Sequence, residues 1–311
     1  MIKKTLYFGN PAYLSLKDKQ LVIKLPEVEK SEYFSSSLKE VHSVTKPIED
    51  IGVLVLDHQQ ITITQGVLEA LLENNVAVIT CDKRSLPVGL MLPLYGHSTQ
   101  NERFREQIDA SVPLRKQLWQ QTIQTKIANQ AVVLEQCTVD TYPCMRIWST
   151  EVRSGDTENM EARAAAFYWK HLFKQICSDF KREREGEAPN HLLNYGYAIL
   201  RAVVARALVC AGLLPTLGIH HHNRYNAYCL ADDLMEPYRP YVDLLVYDMV
   251  LKQGANIPLN KEIKAELLAI PTMDVCIGGK KSPLMVAAGL TASSLRKCFS
   301  GVQRKILYPL L

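Results

Sequence analysis

The stretch GIHHHNRYNAYCLADDLMEPYRPYVD, Gly218–Asp243, sets three histidines in a row after a glycine, then aromatic and amide residues, then an acidic turn with Asp232, Asp233 and Glu236. Imidazole nitrogen beside carboxylate oxygen is the donor chemistry of a divalent-metal site. His221 and Glu236 lie fifteen residues apart, too far for one helix face. The spacing predicts a loop or hairpin that supplies the histidine and a helix start that supplies the carboxylate. A third ligand has to come from elsewhere, and Glu161 is the candidate. Bland readings stand beside this one: a surface loop with one packed imidazole, and acids that only complement a helix dipole. A zinc site of His221, His222 and Cys229 is a further alternative, although its spacing fits no standard zinc pattern.

The flanks of this stretch read as helices. Leu192–Leu214 is apolar through most of its length and belongs in the centre of a bundle, with Pro215 to stop it. Asp243–Gln253 and Asn260–Leu268 follow, then Ser282–Gly289 and Thr291–Phe299. Before it, Asp156 and Thr157 offer caps for a helix over Glu158–Ile176. One face of that helix carries Glu161, Ala164, Ala165, Tyr168 and Leu172, a carboxylate at the head of an apolar stripe. Glu161 either favours the positive end of the helix dipole or points inward because a metal is there. The mixed-charge run 181–187 reads as a solvated helix end and loop. Asn101–Ala110 and Pro113–Glu135 are helical too. Along them Arg103, Arg105, Arg115, Lys116 and Lys126 outnumber the nearby acids, which suits a phosphate-binding face or an ordinary solvated helix.

The first ninety or so residues have a different grain. Thr5–Phe8, Tyr13–Leu16, Leu21–Leu25, Ile51–Leu56 and Val76–Cys81 read as strands, with a polar hairpin turn at Lys17-Asp18-Lys19. Gln65–Glu73 is a lone helix, and Arg84–Leu92 a further strand approach and turn. The fold class is therefore α+β: a small β-sandwich-like domain with a helix over 1–95, then an all-α domain over 96–311, joined near Pro93–Gln100.

The 311 residues carry a net charge of +4. From Val275 to Leu311 there is no acid, while Lys280, Lys281, Arg296, Lys297, Arg304 and Lys305 give +6. So one-sided a segment suits a polyanion such as nucleic acid, or a solvated surface balanced by acids elsewhere. The eight cysteines form no CxxC pair. Their scatter, and the lack of a signal-like segment, predict a reducing cytoplasm. No apolar run approaching about 18 residues predicts a membrane span. The absence of a Gly-rich phosphate loop speaks against nucleotide hydrolysis and a dinucleotide fold.

Several runs together resemble one family: SGDTENMEARAAAFYW at 154–169, LNYGYAILRA at 193–202, the 218–243 stretch, and KSPLMVAAGLTASSLRKCFSG at 281–301, with HSVTKPIEDIGVLVLD at 42–57 and LPVGLMLP at 86–93. That family is CRISPR-associated protein one, the integrase subunit of the spacer-acquisition complex. The LMEPYRP form resembles its type II members. The resemblance implies one divalent ion, Mg²⁺ or Mn²⁺, held by Glu161, His221 and Glu236, with Asp233 in support. It implies insertion of short duplex DNA into a repeat array by 3′-hydroxyl attack on a backbone phosphate, without ATP. It also implies a homodimer paired through the β-rich domain, and a four-plus-two complex with a small ferredoxin-like partner, CRISPR-associated protein two. Lys280, Lys281, Arg296, Lys297, Arg115 and Lys116 are the expected DNA contacts. A nuclease on branched DNA and a non-catalytic DNA-binding assembly protein are the competing expectations.

Overall fold

The computed structural model describes residues 3–26, 43–139, 142–183, 186 and 188–311. His42, at the head of one of the quoted runs, and Arg184, Glu185 and Glu187 of the mixed-charge run lie outside them. The chain divides into two compact units, Met1–Leu94 and Tyr95–Leu311.

The first unit is built on β5 (Ile51–Leu56), whose IGVLVL sequence is buried almost end to end. A continuous apolar run suits a strand covered on both faces. It sits inside the sheet β1-β5-β7-β8, where β1 (Lys4–Phe8) and β7 (Ala77–Cys81) flank it in parallel and β8 (Pro87–Met91) closes the edge antiparallel to β7. A second sheet, β4-β3-β2-β6, contains the expected hairpin of β2 (Ala12–Lys17) and β3 (Gln20–Lys24). Its two turn residues, Asp18 and Lys19, have φ of 50° and 59°, the left-handed pair that a tight hairpin turn needs. The short strands β4 (Val44–Pro47) and β6 (Ile61–Ile63) complete that sheet; neither is legible in the sequence pattern. Helix α1 (Gln65–Glu73) buries Val67 and Leu71, one turn apart. These two share a core with Leu14 and Leu21 of one sheet and Ile51, Leu54 and Val78 of the other.

The second unit is organised around two long helices. α3 (Val112–Cys137) follows α2 (Gln100–Ile108), and Ser111 caps it through its hydroxyl, with Pro113 in the first turn. α6 (Asn190–Cys210) is the apolar helix expected at the centre. It is long and apolar enough to cross a bilayer, and 72% of its apolar window is buried inside the protein; it is a core helix. The expectation that no run reaches this length is corrected. α6 ends four residues short of the predicted Leu214, because Gly212, at φ +73°, turns the chain before Pro215 is reached. At Gly196 in its middle, a Cβ would lie 2.6 Å from Val242 Cγ1. Here α6 meets α8 (Arg239–Gln253) too closely for any side chain.

Between the long helices stand α4 (Pro143–Glu151), which the sequence pattern does not announce, and α5 (Met160–Leu172). α5 is shorter than expected. Asp156 serves its start: its two carboxylate oxygens accept from the backbone N–H groups of Met160 and Glu161. α7 (Cys229–Met235) is followed by a 3-10 turn at Glu236–Tyr238 that leads into α8. α9 (Lys261–Leu267) is capped by Asn260, as expected. α10 (Leu284–Phe299) is one helix where two were read. The unit is helical but not purely so. β9 (Asp274–Ile277), β10 (Lys280–Pro283) and β11 (Pro309–Leu310) form a small sheet of order β10-β9-β11. Its strands, of two to four residues, are too short for a period-2 signal to stand out.

Candidate metal centre

Glu161 lies in the first turn of α5, and Glu236 opens the 3-10 turn between α7 and α8. The fold brings them to one ammonium. Lys126 Nζ of α3 lies 2.7 Å from Glu161 Oε1 and 2.6 Å from Glu236 Oε2. Lys126 is buried, with 7% exposure. Glu161 stands in the first turn of α5, where the dipole reading puts it, and its carboxylate meets the ammonium of Lys126. Two cations of the basic face along 103–126 are committed inside the protein: Lys126 to Glu161 and Glu236, and Arg103, which donates to the carbonyl of Ala211 at 2.7 Å.

Charge at this spot is balanced locally. Burial would push the Lys126 ammonium down, but Glu236 and Glu161 outweigh it and hold it above the usual lysine range. Burial likewise pushes the Glu236 carboxyl up, and Arg239 and Lys126 reverse that. Arg239 Nε is 2.9 Å from Glu236 Oε1. Neither Glu236 Oε2 nor Arg239 Nε has a hydrogen bond of acceptable alignment. Glu236 is thus held by two charges, one on each oxygen.

The three histidines have three different settings. His220 stacks on Trp119 of α3, ring centroids 4.1 Å apart and planes 1° from parallel. His222 is exposed and reaches back to the His220 carbonyl. His221 is the oriented one. Its Nδ1 lies 2.5 Å from Asp233 Oδ1, and an ionised carboxylate only accepts. Nδ1 therefore carries the proton, and Nε2 is left for another partner. The hydrogen bond to Asp233 holds the His221 imidazole above its usual range against the opposing effect of burial.

Asp233, fully buried on α7, also accepts from the backbone N–H groups of Ile219, His220 and His221. The loop folds onto this carboxylate. Gly218 is needed for space: a Cβ there would lie 2.2 Å from the His221 carbonyl oxygen and 2.7 Å from Asp233 Oδ2. Asp232 faces away, bonded to Arg201 and Asn226, and takes no part.

A nitrogen and two carboxylates suit a divalent first-row ion, and a carboxylate behind the histidine is the usual outer support. The buried Glu236 carboxylate fits such a group once its lysine contact gives way. Among the described residues, however, no three His, Cys, Asp or Glu side chains are grouped closely enough to hold one ion as they stand. Lys126 stands between the two carboxylates. The zinc alternative fares worse, because the Cys229 thiol donates to the carbonyls of Asn223 and Asn226, whereas a thiolate ligand would accept.

Three supports were missed in the sequence. Gln107 accepts from Leu214 N and donates to the carbonyls of Leu214 and Leu217, pinning the approach to the histidine loop. Asn129, one turn beyond Lys126, donates to the carbonyls of Pro237 and Pro309. Trp119 backs His220. Lys126 itself was detectable: Trp119, Thr122, Ile123, Lys126 and Gln130 fall on one helical stripe, and its other large members are core residues. Beside His221 opens a cleft of about 420 Å³, lined among others by Arg115, His222, Asn223 and Arg224.

A family model described as CRISPR associated protein Cas1 matches residues 6–258. The chain belongs to the Cas1 family. The CRISPR-associated endonuclease Cas1 of Neisseria meningitidis serogroup C (strain 8013) is 38% identical over 269 residues, 86% of this chain and 83% of that one. A Cas1 of Pyrobaculum aerophilum is 28% identical over 64% of this chain and 71% of its own. Among solved structures, a casposase bound to integration product superposes with a TM-score of 0.75 at 20% identity, covering 98% of this chain and 92% of that one. A Cas1 protein from Thermotoga maritima gives 0.72 at 16% identity, over 96% and 97%. At these identities the superpositions establish the shared Cas1 fold.

Proposed function

We propose that this Cas1-family chain is a divalent-metal-dependent DNA integrase of CRISPR adaptation. It would join the 3′-hydroxyl ends of short duplex DNA to backbone phosphates of a repeat array. The observation that carries the reading is the meeting of Glu161 and Glu236 on one cation, with His221 aimed by Asp233 alongside. Glu161, His221 and Glu236 would hold Mg²⁺ or Mn²⁺. When bound, such an ion neutralises phosphate oxygens and stabilises attacking and leaving oxygens. The protein's own groups do the rest. Asp233 fixes the His221 tautomer and the path of its loop. Arg115 and Arg224 place positive charge in the cleft beside His221, where a strand's phosphates would lie. One phosphodiester replaces another, so no nucleotide is consumed. A relative whose solved form is a Cas6-RT-Cas1–Cas2 complex shares this fold over 98% of the chain, with a TM-score of 0.74. It supports a small Cas2-type partner here. Pairing of two copies through the first unit is supported by edge strand β8, with Val88 67% exposed and Met91 40% exposed.

The test combines the purified small partner, a supercoiled repeat plasmid and a short duplex with free 3′-hydroxyls, in Mn²⁺ and in Mg²⁺. Wild type is expected to give joined product, and Glu161→Ala and His221→Ala none. Joining that survives Glu161→Ala would remove the catalytic role. Cleavage without joining would favour a structure-specific nuclease.

A further inference from the structure

We propose that Lys126 is a tethered counter-ion: its ammonium holds Glu161 and Glu236 together in the metal-free protein and leaves the space between them when a divalent ion is taken up. This inference rests on the metal-centre reading above. It starts from the contacts at 2.7 and 2.6 Å that place one charge between two carboxylates contributed by separate elements. Without that charge the two anions would face each other across a buried gap, where repulsion is weakly screened. Arg239 cannot take over, because it meets the opposite oxygen of Glu236.

An ammonium and a divalent ion cannot share that gap. Both need the same oxygens, and like charges at such a separation repel strongly. The helix itself is not free to move. Asn129, one turn away, is bonded to Pro237 and Pro309, and Trp119, two turns the other way, is packed under His220. Movement is confined to the side chain. Lysine suits this, being a point charge on a flexible four-carbon stem, whereas a guanidinium would lock onto a carboxylate by two bonds. A plain structural ion pair would predict that neutralising Lys126 costs stability and leaves metal affinity unchanged or weaker. The counter-ion predicts the opposite sign for affinity.

The experiment compares the full chain with Lys126→Met, Lys126→Arg and Glu161→Gln by Mn²⁺ titration calorimetry and by thermal unfolding in chelator and in saturating Mn²⁺. Lys126→Met is expected to melt lower in chelator and to bind Mn²⁺ about tenfold or more tightly than wild type, from the lost charge repulsion. Its Mn²⁺-dependent rise in Tm should exceed that of wild type. Lys126→Arg should bind Mn²⁺ more weakly while staying folded, and it keeps the question answerable where Lys126→Met does not fold. Equal or weaker Mn²⁺ affinity in folded Lys126→Met, or unchanged affinity in Lys126→Arg, overturns the proposal while leaving the metal centre in place. If neither wild type nor Lys126→Met shows Mn²⁺ binding that Glu161→Gln abolishes, the metal-centre reading itself falls, and this inference with it.

Discussion

Asp233 decides where His221 points. Its two oxygens accept four hydrogen bonds from three consecutive residues, and at a fully buried position bulk solvent does not reach to replace them. Asp233→Asn would set an amide N–H against backbone donors. A buried donor left unpaired costs about 1–3 kcal/mol, so urea unfolding should show a loss of that order. Outer-shell changes of this kind lower metal affinity by about 10–100-fold, and Mn²⁺ titration should find the same here. An unchanged Mn²⁺ affinity would mean that the imidazole is aimed by something else. Gly218→Ala tests the same loop from its other side. The added methyl has no room beside the His221 carbonyl and Asp233, and overpacking of this sort costs about 1–3 kcal/mol. Joining activity should fall in parallel, since the displaced atoms are those that carry His221.

Among the helices, α5, α6 and α8 are tied by one buried carboxyl. Asp243 of α8 accepts from the hydroxyls of Tyr168 on α5, at 3.0 Å, and Tyr197 on α6. Burial pushes its pKa up to about 7, despite those hydroxyls and the pull of Arg239 and Arg182. The folded group holds its proton above the pH at which an unfolded aspartate loses it, about 3.9. Between those two values the native state binds more protons, so this group's contribution to stability falls as pH rises toward 7. Asp243→Asn cannot ionise and still offers an acceptor to a tyrosine. Relative to wild type it should be near neutral at about pH 4 and more stable at pH 8, by up to a few kcal/mol, in paired urea titrations. A constant difference across that range would refute the protonation argument. The same three helices show what a sequence discloses. Their existence follows from apolar stripes, and Glu161 at the head of one of them was visible as a misfit. Which carboxylates share a cation was not visible, because Lys126, Glu161 and Glu236 meet only through the packing of three separate elements. The short strands β4, β6 and β9–β11 were missed because pairing with a neighbouring strand, rather than a local period, holds two to four residues extended. Gln107 and Asn129 were missed for a related reason: they bond to carbonyls of distant loops, and an amide on a helix announces nothing about its partner.

On the scale of the molecule, the net charge of +4 understates the asymmetry, since the last 37 residues carry six cations and no acid. The fold divides those cations. Lys280 and Lys281 stand exposed at β10, next to a turn whose Gly278 and Gly279 both have positive φ. Lys297 is exposed at the end of α10. Arg296, also named as a DNA contact, is instead half-buried in a pocket of about 260 Å³ with His97 and Arg103, and is less free to meet a strand. Lys116 is exposed, while Arg115 belongs to the cleft beside His221. Binding of duplex DNA to such surfaces is dominated by release of counter-ions, so affinity should fall steeply with salt. Each phosphate contact removed should flatten the plot of log affinity against log salt by about 0.9. Changing Lys280 and Lys281 together to Gln is therefore expected to lower the slope by about 2, uniformly across DNA sequences. Among the described residues the two side chains form no ion pair, and both are exposed, so stability should not change measurably. Anisotropy titrations of a labelled duplex at several salt concentrations would read the slope. A slope equal to that of wild type would take β10 out of the DNA-binding surface and leave the cleft at Arg115 and Arg224 as the place to look for the phosphates.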